Sequence, residues 1–193
     1  MDQERRTRGM RAGLTRDQVV AAAQRTMTER GVAGLSLRAV AAELGVAPNA
    51  IYSHVADKDA LVDAVLDDVL AAVPEPTARD PRRALKSIMI DTYDVLLARA
   101  GLVGTYLARQ GSRGPEAQRL GRAMDDCLLR LGVTGSRAAG GRRALIVFTI
   151  GYAAFATGWT AEGEQPLSPE RVRRDFLAGL DWLITGITAG SSV

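Results

Sequence analysis

The sequence predicts an all-α protein of about nine helices, on three observations. Strand-type alternation of apolar and polar residues is sustained nowhere along the 193 residues. Helix caps, and apolar residues spaced by three and four, recur from Thr15 to Ile187. Near residue 45, two short helical segments flank a glycine turn, which is the outline of a helix-turn-helix.

Each element has its own signal. Thr15 followed by Gln18 is a capping-box pattern, and Val19, Val20, Ala23 and Met27 continue at helical spacing until Gly31. Ser36 can cap a second helix, "LRAVAAEL", which Gly45 ends. Pro48 suits the first position of a third helix reaching His54 or Val55, because its missing N–H is unneeded there. Leu44, Val46, Ile51 and Val55 read as core. Asp57 and Asp59 favour the positive end of a fourth helix, whose apolar stripe is Leu61, Val62, Val65, Leu66, Val69 and Leu70. "VPEPTARDP", with three prolines, then breaks the pattern. Beyond it the spacing predicts helices over 81–99, 101–110, 115–131, 136–160 and 168–187. The domain reading is a basic arm at 1–13, a DNA-binding domain at 14–73 with its motif about 36–55, and a second helical domain at 74–193.

Composition is that of an ordinary globular chain, with 47% apolar and 24% charged residues. A single cysteine, Cys127, excludes an internal disulfide, and the charged N-terminus has no apolar signal region behind it, so the expected compartment is cytoplasmic. Residues 144–161 carry no charge and rise about 27 Å as a helix. Their glycines and threonines make them too weakly apolar for a membrane span, so the expectation is a helix buried on most sides and no membrane partner. Net charge is only +3, but Arg5, Arg6, Arg8, Arg11 and Arg16 against Asp2 and Glu4 concentrate positive charge in the N-terminal arm. Such an arm either lies along phosphates or is a solubilising tail. The lone histidine, His54, has no partner set for a metal or for base catalysis, and no nucleotide-binding glycine loop is present, so neither metal, cofactor nor enzymatic activity is expected.

The run "LSLRAVAAELGVAPNAIYSHVADKDALVDAVL", residues 35–66, closely resembles the DNA-binding domain of the TetR family of bacterial transcriptional repressors. The likeness extends over roughly residues 14–66. It rests on the "LGV" turn, the "IYSHV" core and "DKDAL" at the start of the fourth helix. The resemblance implies a phosphate-contacting role for Lys58 and a homodimer on a palindromic double-stranded operator. The residue types agree. Ser36, Tyr52 and the first amides of the second helix can donate to phosphate oxygens, and Arg38 adds charge. In the major groove Asn49 can pair with an adenine edge, Ala50 can meet a thymine methyl, and Ser53 and His54 can donate or accept. Bland readings stand beside these: Tyr52 can equally cover the small core, His54 can pack or cap, and Asn49 can simply fit the first turn of its helix. The chain departs from the family pattern at Ala47, where a serine or threonine cap is frequent, and its third helix has no arginine to read guanine.

Past residue 74 the family resemblance is one of length and helical content. Val172, Phe176, Leu180, Leu183 and Ile187 form an apolar stripe, and Gly151, Ala154 and Gly158 give a small-residue face. Together they predict a four-helix dimer interface, or else they complete a monomer core. Met89, Tyr93, Tyr106, Met124, Cys127, Phe148 and Tyr152 suit a mostly apolar pocket for an apolar or aromatic effector, and suit core packing equally. The expected function is thus a ligand-released transcriptional repressor; the alternative is a ligand-independent or architectural DNA-binding protein.

Overall fold

A computed structural model describes residues 13–109, 111, 113–158 and 167–189. Residues 1–12 of the basic arm therefore lie outside the described residues, as do Gln110 at the end of the predicted segment 101–110 and Trp159 and Thr160 at the end of 136–160. Among the described residues there are nine helices and no strand. Contacts divide the chain into a unit ending at Val65 and a unit beginning at Leu66.

The first unit holds α1 (Arg16–Gly34), α2 (Leu37–Leu44), α3 (Pro48–Tyr52) and the start of α4 (Lys58–Leu70). The capping box is formed: Gln18 N–H donates to Thr15 Oγ1 at 3.2 Å and Thr15 N–H to Gln18 Oε1 at 3.0 Å. Helix α1 runs past its predicted end to Gly34. It kinks at Gly31, whose φ of 66° only a glycine takes without strain. Val19, Val20, Ala23 and Met27 are buried with Leu37, Val40, Ile51, Leu61 and Val62, while Leu44 and Val46 are only half-buried. Glu43 ties α2 to α1, accepting from Thr26 Oγ1 at 3.1 Å and pairing with Arg25 at 2.7 Å.

Helix α3 is shorter than the sequence predicts, ending at Tyr52. Ala47 supplies no side-chain cap, and the N–H groups of His54 and Val55 both converge on the Ile51 carbonyl, closing the helix in a tight turn. Asp57 then caps α4, its Oδ1 accepting from Ala60 N–H at 2.7 Å.

The second unit contains the end of α4, then α5 (Pro81–Leu97), α6 (Ala100–Ala108), α7 (Pro115–Arg130), α8 (Gly135–Ala156) and α9 (Pro169–Thr188). Helix α5 is central and packs against the four that follow. Its Leu85, Ile88, Met89, Tyr93 and Leu96 are buried with Leu102, Val103, Met124, Leu128, Leu145, Phe176 and Leu180. Residues 66–73, grouped by the sequence reading with the first domain, are bonded into this unit. Tyr106 Oη donates to the Leu66 carbonyl, and Arg119 Nη2 to those of Leu70 at 3.3 Å and Val73 at 2.9 Å. Buried Asp67 accepts from the N–H groups of Glu116 and Ala117, each at 3.0 Å, and so caps α7 from another helix.

Helix α8 differs from the expectation of burial on most sides. Only Gly141, Leu145, Thr149, Ile150 and Ala153 are enclosed, and Val147 and Phe155 are exposed. No helix among the described residues is long and apolar enough to cross a membrane. Helix α9 lies close on α8, where a Cβ at Gly141 would come within 2.9 Å of Ile187, and Arg137 Nε donates to the Ile187 carbonyl at 3.1 Å.

Candidate nucleic-acid interface

The surface of α2, the glycine turn and α3 is where the sequence places its reading residues. Ser36 caps α2 by accepting from Ala39 N–H at 3.1 Å, which leaves its own hydroxyl proton free to donate to a phosphate. Arg38 is exposed on the first turn of that helix. Gly45, at φ 66°, makes the left-handed turn that ends α2 and lets the chain swing into α3. Asn49 and Ser53 are exposed, and Ala50, His54 and Lys58 half-buried. Ser53 Oγ donates to the Ala50 carbonyl at 2.7 Å, so what it can present to a base is an acceptor. Tyr52 is 58% exposed, so most of its phenol stands outside the core that Ile51 and Val55 fill. The site is a polar surface with one projecting aromatic ring and no acidic side chain on α3.

The residues considered for a pocket fall in two groups. Met89, Tyr93, Tyr106, Met124 and Cys127 are buried, and burial pushes the Cys127 thiol above its usual pKa. Phe148 and Tyr152 are half-buried and complete an aromatic cluster: Tyr93 stacks on Phe176 with centroids 4.2 Å apart, and Phe148 lies 4.7 Å from Tyr152 and 5.7 Å from Phe176. Arg173, paired with Asp94, sits 5.9 Å from the Tyr93 ring centre. A cleft of about 410 Å³ between α8 and the start of α9 is lined by Gly151, Tyr152, Phe155, Leu167, Val172 and Asp175. Of the predicted pocket residues only Tyr152 borders it; Gly151 and Val172 were read from the sequence as interface positions, and Phe155, Leu167 and Asp175 carried no signal there.

Within the cluster, the Tyr93 hydroxyl is buried with no hydrogen-bond partner among the described residues. An unsatisfied buried hydroxyl is destabilising, so Tyr93→Phe is expected to raise stability by about 1 kcal/mol. Thermal denaturation checks this, and a lowered melting temperature would contradict it.

Of the dimer residues, Gly151 and Gly158 are exposed, and Ala154, Leu183 and Ile187 are half-buried. Phe176 and Leu180 are fully enclosed by their own chain, because that stripe of α9 faces the aromatic cluster and α5. On these two helices the large apolar side chains left exposed are instead Val147 and Phe155 on α8 and Trp182 on α9.

Residues 19–65, the whole of the helix-turn-helix and its flanks, match the profile of the bacterial regulatory proteins of the tetR family. That segment is a DNA-binding domain of the tetR type. The curated relatives that the chain matches are named as transcriptional repressors and regulators. The HTH-type transcriptional repressor DrrR1 of Streptomyces coeruleorubidus is 45% identical to this chain over 65 residues, 34% of the chain and 24% of that relative. The chain thus aligns with about a quarter of that relative's length. BioQ of Mycobacterium smegmatis is similar throughout, with a TM-score of 0.74 at 27% identity, covering 91% of this chain and 99% of that one. A structure of BioQ with its natural double-stranded DNA operator has a TM-score of 0.68, also at 27% identity, over 91% and 99% of the two chains. ActR of Streptomyces coelicolor in complex with (S)-DNPA has a TM-score of 0.71 at 25% identity, over 94% and 100%.

Proposed function

We propose that this chain is a cytoplasmic, homodimeric transcriptional repressor of the TetR family that binds a palindromic operator and is released by a small molecule. The observation that carries the reading is the exposed face of α2 and α3, where Ser36, Arg38, Asn49, Tyr52 and Ser53 stand clear of the core. The BioQ complex with its operator supports the DNA partner, and the ActR complex with (S)-DNPA supports a ligand held by the helical unit. In this reading Ser36, Arg38, Tyr52 and Lys58 hold phosphates, and Asn49, Ala50, Ser53 and His54 meet base edges. The aromatic cluster around Tyr93, Phe148 and Tyr152 makes an apolar or aromatic effector the natural partner. By linkage the effector weakens DNA binding only by its differential affinity for the two states, each tenfold being about 1.4 kcal/mol.

Selection of bound duplexes from a random pool, at a stated salt concentration, tests the proposal. An enriched palindrome supports a sequence-specific dimer; salt-sensitive binding with no enrichment would replace it by an architectural role. On the selected operator, Tyr52→Ala and Lys58→Ala are expected to weaken binding across sequences and shallow the salt slope. Asn49→Ala and Ser53→Ala are expected to relax preference at particular base pairs, by about 1–3 kcal/mol each. Equal loss on every duplex from all four would refute this division of roles.

A further inference from the structure

A second cleft, of about 440 Å³, opens between α7 and α8, away from the aromatic cluster in its lining residues. Its lining includes three arginines, Arg113 just before α7, Arg122 on α7 and Arg142 on α8. We propose that this cleft is a binding site for a small organic anion: a carboxylate, sulfonate or phosphate group carried on an apolar body.

The charge argues for the anion. Arg142 is paired with Asp125 on α7. Arg113 and Arg122 are exposed and have no carboxylate partner among the described residues. Three guanidinium groups facing one hollow against a single carboxylate leave an excess of positive charge that a bound anion relieves. Guanidinium is also the side chain best shaped to hold carboxylate and phosphate through paired N–H donors. Gln118 reinforces the arrangement: its Nε2 donates to the Arg113 carbonyl at 3.2 Å, fixing that backbone against the first turns of α7.

The floor argues for the apolar body. Ala117, Gly121 and Ile146 line the same cleft. Gly121 sits in the interior of the sixteen-residue α7, where glycine is less favourable than alanine. A Cβ there would stand 3.5 Å from Arg142 Nη1, an ordinary contact, so packing does not demand the glycine; its missing side chain deepens the hollow beneath the guanidinium. The volume lies in the range of small-molecule sites, and an apolar floor with a few convergent charged groups is their usual composition.

The test is a fluorescence titration of the full chain, without DNA, so that its result does not depend on the operator reading. The anionic probe is 8-anilinonaphthalene-1-sulfonate and the neutral comparison is N-phenyl-1-naphthylamine, which shares the apolar body. Arg113→Gln with Arg122→Gln is expected to weaken sulfonate binding about tenfold or more, the loss of charge-assisted hydrogen bonds, and to leave the neutral probe unchanged. Gly121→Leu, which fills the half-buried floor of the cleft, is expected to weaken the anionic probe with all three arginines still present. Far-UV circular dichroism confirms that each variant is folded. Sulfonate titrations that superimpose for the wild-type and double-glutamine chains, or a wild-type chain that binds no sulfonate probe, would overturn the proposal.

Discussion

Asp67→Ala is expected to lower the unfolding free energy by about 3 kcal/mol, the loss of two hydrogen bonds to a carboxylate that leaves their N–H donors part-buried. For a chain of this size that corresponds to a fall in melting temperature of roughly 6–12 °C. The carboxylate is itself buried and lies at the positive end of α7, so no water takes over its role cheaply. Gly114 is part of the same device. A Cβ there would stand 2.3 Å from Asp67 Cγ, far inside contact distance, so Gly114→Ala is expected to cost about 1–3 kcal/mol by overpacking. The two substitutions are not independent. With the carboxylate gone, the methyl has room, and the double variant should be less destabilised than the sum of the singles. Simple additivity in denaturant melts would sink this account of why residue 114 is glycine.

Trp182→Arg is expected to convert the proposed homodimer into monomers at micromolar concentration while leaving helix content and thermal stability of the chain nearly intact. Trp182 is 76% exposed, so its own protomer gains little from it. Val147 and Phe155 on α8 are exposed as well, at 62% and 47%, and the exposed Gly151 on the same helix leaves room for close approach. A tryptophan at the centre of an interface typically contributes about 2–4 kcal/mol, which is roughly 30- to 1000-fold in the dissociation constant. In an isologous interface each copy supplies the same residue, so a substituted pair loses both contributions and sets two added charges in one region. Sedimentation velocity of wild-type and variant chains reads the outcome. Identical sedimentation would move the dimer contact away from α8 and α9.

The helices were legible because their signals are local. Thr15, Ser36, Asp80 and Ser168 each cap the helix that follows, and Gly45 turns the chain where its position suggests. In the helix-turn-helix, Ile51 and Val55 are buried as their spacing suggests, but Leu44 and Val46, read as core, are only half-buried, because they flank the glycine turn at the edge of the small unit. The length of α3 was misread because the missing cap at Ala47 and the two N–H groups sharing one carbonyl at Ile51 act together, and only the first is visible in sequence. In the larger unit the periodicity of α9 was correct as a pattern but silent about its partner. Phe176 and Leu180 are the sort of stripe that serves an interface or a core equally well, and here the aromatic cluster has taken them.

The sequence by itself therefore determined an all-α chain with a helix-turn-helix near its start, because caps, turns and apolar period act within a few residues of one another. Tertiary structure alone decided what each helix face meets. The Asp67 carboxylate finds the α7 amides across 49 and 50 residues, the Tyr93 hydroxyl goes without a partner, and Arg113 and Arg142 line one hollow. Those outcomes depend on how five helices share the volume around α5, a many-body packing problem in which no short stretch of sequence specifies its distant neighbours.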